Sequence, residues 1–250
     1  MKRLFAIFIS VICLSICHQA NAQTDVYLVP NPQTAKWSYI ETDSKGKHIA
    51  THYNSVESLE GDGVNGNLKL RVIEVPAESA NDTTITFNSY RFKDGELIFD
   101  MDTGFEDNLI DSLVQSAIKE RDVEVTEEEK KEILEKIRAE FNMSGELRGM
   151  PRYPEVGKLP SYEFRFKISF INIKVIGENR RIVGTERLQT EAGEFDCFVM
   201  EETVTTKAML MKDVSKTTSW YAYGIGLVKE ITCDKKGKLI STMILNEINW

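Results

Sequence analysis

The chain has 250 residues, 42% of them hydrophobic and 28% charged, with 39 acidic side chains against 31 basic ones. A formal net charge of −8 repels phosphate backbones, so no nucleic-acid partner is expected. The length suits one large domain or two small ones, and the apolar fraction is enough for a real core.

The first segment has the layout of an export signal. Lys2 and Arg3 precede an apolar run from Leu4 to Cys17 that only Ser10 and Ser15 interrupt. That run is about 14 residues, short of the ~20 that cross a bilayer as a helix. Ala20-Asn21-Ala22 then offers small side chains to a signal peptidase. Cleavage is expected after Ala22, giving a signal peptide over 1–22 and a single β domain over 23–250, periplasmic or secreted. Leu14-Ser15-Ile16-Cys17 competes as a lipidation site. Such a cysteine should follow a small residue and Ile16 is large and β-branched, so a lipoprotein is not expected. No later segment has the length of a membrane span, and no transmembrane segment is expected in the mature chain.

Strand patterns follow. Trp37 to Thr42 and Lys47 to Leu59 flank Asp43-Ser44-Lys45-Gly46, a hairpin turn sequence. Leu68, Leu70 and Val72 alternate with Lys69 and Arg71, the period of a half-buried strand. Thr84 to Lys93 and Glu96 to Met101 flank Asp94-Gly95, a second hairpin signal. The period then lengthens. Residues 105–142 read as an inserted helical hairpin, with Phe105, Leu109, Leu113 and Ile118 on its first helix. Thr126 and Glu129 form a capping box that opens the second, with Ile133, Ile137 and Phe141 on one face and Gly145 as its stop. Beyond a Pro-rich link, Phe164, Phe166, Ile168 and Phe170 alternate with polar residues, and Ile171, Ile173 and Val175 continue on the opposite phase. That switch predicts a bulge, or a long strand whose buried face changes. Further strands are expected at 181–189, 195–206, 213–222, 227–233 and 239–249. Asp234-Lys235-Lys236-Gly237 repeats the turn chemistry of residues 43–46.

The expected fold is mainly β, an antiparallel and strongly curved sheet or barrel of about ten strands with a helical insertion. A two-sheet sandwich is the alternative. In either, a meander over 195–234 sets Cys197 and Cys233 at opposite ends of first and third strands. That is beyond the reach of a disulfide, so two buried free thiols are expected.

The C-terminal part carries a recognisable pattern over residues 157–245. Its pieces are Val183-Gly184-Thr185-Glu186, read as a turn region, Ala192-Gly193-Glu194-Phe195-Asp196-Cys197, and Trp220-Tyr221 followed by Gly224-Ile225-Gly226-Leu227-Val228. The pattern resembles the TapB-like family of exported bacterial β proteins. Family members usually carry proline where this chain has Glu191. The resemblance implies a barrel-like antiparallel fold and an envelope location, and no catalytic site.

Chemistry is sparse. His48 and His52, on one face of a strand, would lie about 13 Å apart, too far to share a metal. No Gly-x-Ser-x-Gly and no phosphate- or dinucleotide-binding glycine pattern is present. Asp100 and Asp102 read as solvated strand-end carboxylates. No catalytic, metal or cofactor site and no cofactor are expected, and the protein is not expected to be an enzyme. Apolar residues on both phases of several strands point to a hydrophobic small molecule or lipid bound in the curved sheet. The alternative is a non-catalytic structural or interaction module with an envelope protein partner.

Overall fold

The computed structural model describes residues 35–61, 65–93, 96–100, 126–151, 153–168, 171–208 and 211–249. The strands are β1 (Lys36–Asp43), β2 (His48–Gly61), β3 (Gly66–Pro76), β4 (Thr84–Lys93) and β5 (Glu96–Asp100). Helix α1 (Glu127–Glu140) follows, then β6 (Asn142–Gly145), β7 (Leu147–Arg148), β8 (Gly157–Lys158), β9 (Tyr162–Ile168) and β10 (Ile171–Thr190). The chain ends with β11 (Gly193–Ala208), β12 (Met211–Ala222), β13 (Gly226–Asp234) and β14 (Leu239–Asn249).

All fourteen strands belong to one sheet, in the order β6-β9-β10-β11-β12-β13-β14-β1-β2-β3-β4-β5-β7, with β8 pairing β10 beside that path. Neighbours run antiparallel throughout, and β1 pairs with β14, which joins the two runs of strands into one surface. The path is open, because β6 and β7 do not pair with each other. They are, however, consecutive in the chain, with only Glu146 between them. One short segment therefore lies against β9 with its first half and against β5 with its second. Both margins of the sheet meet there, so the sheet curls strongly without closing into a hydrogen-bonded barrel. No second sheet is present among the described residues.

The curl explains the core. Side chains at alternate positions of almost every strand converge on one cluster, including Trp37, Tyr39, Leu70, Tyr90, Phe164, Phe166, Val175, Met200, Tyr221 and Leu245. A second, smaller cluster lies on the opposite face of β11 to β13, formed by Cys197, Val199, Trp220, Ala222 and Val228. Adjacent residues of a strand point to opposite faces. Tyr221 thus enters the inner cluster while Trp220 enters the outer one. Apolar residues on both phases have their covers in these two clusters.

Two tight turns share one mechanism. The Asp43 carboxylate accepts from the backbone N–H of Lys45 and Lys47, at 2.8 and 2.9 Å. Asp234 does the same with Lys236 and Lys238, at 2.8 and 2.9 Å. Each turn then needs a left-handed residue, supplied by Gly46 at φ 77° and Gly237 at φ 83°.

Several expectations change. The phase switch between Phe170 and Ile171 is neither a bulge nor one long strand. Ile168 lies opposite Ile171, so β9 and β10 are the two arms of a hairpin and the facing side reverses between them. The Val183–Glu186 region is not a turn but the middle of β10, where a register irregularity falls between Ile182 and Gly184. Helix α1 begins at its capping box: Glu129 accepts from the Thr126 N–H and hydroxyl at 2.9 and 2.8 Å, and the Glu129 N–H donates back to the Thr126 hydroxyl at 3.2 Å. It ends at Glu140, so Gly145 is not its stop but the last residue of β6. Ile137 and Phe141 pack on the core, whereas Ile133 is exposed. The first half of the expected helical hairpin, 105–125, lies outside the described residues, as do Asp94-Gly95, Met101 and Asp102.

Candidate functional site

The inner face carries three groups of buried and half-buried ionisable side chains. The first spans β1, β2 and β3. His52 is fully buried, and its Nε2 lies 3.1 Å from Glu41 Oε2, whose side chain is 20% exposed. In the ladder His52 sits opposite Tyr39 on one side and Glu74 on the other. Burial holds the Glu74 carboxyl above its ordinary range; His52 pulls it down and the like charge of Glu41 pushes it up. Asn54, the next residue on this face, is buried, and neither end of its amide finds a hydrogen-bond partner among the described residues. A polar group so deep is satisfied in most proteins by ordered water or a further side chain.

The second group is built by a bulge in β10. Glu178 faces Thr203 and Arg181 faces Glu201, so two residues, Asn179 and Arg180, oppose Glu202 alone. Asn179 takes φ 55°, a conformation that asparagine tolerates. The bend turns Arg180 inward. Its Nε donates to Glu202 at 3.1 Å, and its remaining nitrogens donate to the carbonyls of Pro160, Arg148 and Gly149 at 2.8, 2.6 and 3.0 Å. The guanidinium also stacks 5.0 Å from the centre of the Tyr162 ring. Burial raises the Glu202 carboxyl and Arg180 draws it back. The cavity beside Arg180 measures about 20 Å³, room for one water.

The third group joins β12, β13 and β1. Ser219 donates to buried Glu230 at 2.9 Å, and the Tyr39 hydroxyl donates to the Leu227 carbonyl at 2.9 Å. Burial raises the Tyr39 hydroxyl above its usual value, and Glu230 adds to the effect.

The histidines singled out in sequence do not converge. His48 is exposed and bonds to Thr51 Oγ1 at 2.9 Å, while His52 belongs to the first group. Among the described residues no three His, Cys, Asp or Glu side chains gather to hold a metal. Cys197 and Cys233 are both free, as expected, but Cys233 is only half-buried. They face opposite ends of β12, Cys197 at Ala222 and Cys233 at Lys216. Burial pushes the Cys197 thiol up to about 12, with Asp196 and Glu186 adding to it, the reverse of what a nucleophile needs. The pieces of the C-terminal pattern meet in the outer cluster. The Trp220 indole donates to Glu186 at 2.7 Å, Lys229 lies 4.9 Å over its ring, and Phe195 and Ile225 close the edges. Sequence reading missed Arg180, Glu202, Glu74 and Glu230. Alternation placed Glu74 on the core phase of β3, but nothing local marks the bulge at Asn179.

The open curled sheet with the first and last described strands paired defines a fold shared with two solved bacterial proteins. A protein of Parabacteroides distasonis inferred to be a lipoprotein is 14% identical, with a TM-score of 0.61 over 91% of this chain and 100% of that one. A Bacteroides fragilis protein inferred to be exported, with a YmcC-like fold, is 16% identical, with a TM-score of 0.60 over 90% and 100%. No curated protein matches the chain. The chain belongs to the DUF3108-like family, whose model matches residues 33–245.

Proposed function

We propose that this protein is an exported, non-catalytic module of the bacterial cell envelope, a β scaffold rather than an enzyme or a lipid carrier. One observation carries the reading: the concave side of the sheet is filled by its own side chains. Tyr90, Tyr221, Phe164, Phe166, Leu68, Leu70, Leu227 and Leu245 are each at most 1% exposed. An apolar ligand in the curl would have to displace this packing. Its buried charges are tied to neighbouring strands, as Arg180 is, and so fix the shape of the sheet. The export signal supports the compartment, together with the likeness to proteins inferred to be exported or lipidated. The TapB-like pattern supports it too, because its residues build the outer cluster. No helix among the described residues is long and apolar enough to cross a membrane.

Native and denaturing mass spectrometry of the protein exported from a bacterial host tests the reading in one experiment. The expected result is a chain beginning at Gln23, with no lipid carried through gentle purification. A lipid that co-purifies in stoichiometric amount overturns the scaffold reading. A chain beginning at a lipidated Cys17 overturns the cleavage site alone.

A further inference from the structure

Glu41, His52 and Glu74 occupy neighbouring inner positions on three consecutive strands. Glu41 meets His52 at 3.1 Å, and Glu74 lies directly across the β2–β3 ladder from it. Directly opposed residues hold their Cβ atoms about 4.5–5.5 Å apart. An imidazole withdrawn from water thus stands between two carboxylates. While the ring is neutral, the half-buried carboxylates of Glu41 and Glu74 repel each other across it. One added proton replaces that repulsion with a cation between two anions, or with one neutral carboxyl.

The surroundings favour that proton. On β1, Tyr39 faces His52 with its hydroxyl engaged at the Leu227 carbonyl. On β13, Glu230 contributes a further negative charge on this half of the inner face. On β14, Met243 and Leu245 are apolar, and on β4 Thr84 lies opposite Glu74. We propose that Glu41, His52 and Glu74 form a single proton-binding site, which makes the packing of β1, β2 and β3 tighter in acid.

The sign follows from Glu74. Its proton affinity rises on folding from an ordinary value of 4.5. The stability it contributes is complete below 4.5 and is lost as the pH rises through the raised folded value.

The test is urea unfolding of the mature protein from about pH 4.5 to about pH 8, for the wild type, Glu74→Gln and His52→Gln. As the pH falls, the wild type should gain stability relative to both variants. Ring signals of His52 in NMR spectra should change their pH response in Glu74→Gln, while those of exposed His48 should not. Parallel stability profiles for wild type and variants, or a His52 signal that ignores Glu74→Gln, overturn the proposal.

Discussion

At Arg180 the sequence places a cation where a regular strand would have kept it in solvent. The bulge and the left-handed Asn179 turn it inward, and every nitrogen of the guanidinium then finds an acceptor. A buried ion pair adds little net stability, because desolvation offsets most of the attraction. Its value is geometric. One side chain ties the links after β7 and before β9 to the middle of the sheet. Removing one partner leaves the other charge buried without compensation. Glu202→Ala should therefore destabilise the protein by about 3–5 kcal/mol, read as a lower urea midpoint. An apolar pair in place of both residues should cost less, since no charge is left behind. A loss below about 1 kcal/mol for Glu202→Ala would place the pair among solvent-screened ones and contradict its burial.

At the scale of elements, helix α1 shows how local and tertiary signals combine. Its start is encoded by Thr126 and Glu129, and both reciprocal hydrogen bonds form. Its attachment depends on Ile137 and on Phe141, whose ring lies 6.4 Å from that of Phe166. Thr126→Ala removes the acceptor for the Glu129 N–H. It should lower the stability by about 1 kcal/mol, measurable by urea unfolding followed by far-UV circular dichroism. An unchanged curve would mean that the cap does not hold this helix. Caps, turns and alternation were legible in the sequence because each depends on residues a few positions apart. Asp43 and Asp234 announced their hairpins, and Thr84 to Lys93 is a strand with the bounds its pattern predicts. The hairpin between β9 and β10 was not legible: Ser169-Phe170, which link Ile168 to Ile171, include no glycine, asparagine or proline. The buried ionisable groups were legible least. Arg180 meets Arg148 and Pro160 only through pairings that no local pattern records, and the hairpin marked at residues 43–46 pairs β1 with β2 without showing that Glu41 meets His52.

For the whole molecule the decisive feature is the seam where the sheet's margins meet. Elsewhere the ladders are long: β10 and β11 stay opposed from Ile173 with Ala208 to Thr190 with Gly193. At the seam, β5 and β7 are opposed only at Ile98 with Arg148 and Phe99 with Leu147. Side chains reinforce it through Arg91 of β4 and Glu146 at 3.7 Å, and through the grip of Arg180 on the Arg148 and Gly149 carbonyls. The surface pair adds little, because water screens it. Local opening follows the number of hydrogen bonds and buried contacts that must break together. The segment 142–148 should therefore open before the rest of the sheet, letting β5 and β9 part while β10 to β14 stay paired. Hydrogen exchange followed by mass spectrometry reads this directly. Amides of β5 and β7 should exchange well ahead of those of β10 and β11. Glu202→Ala should widen the gap, because Arg180 would lose the carboxylate that anchors it. Equal protection at the seam and in β10–β11 would mean that the curl opens only when the whole sheet unfolds, and that the meeting of its margins is as strong as its longest ladder.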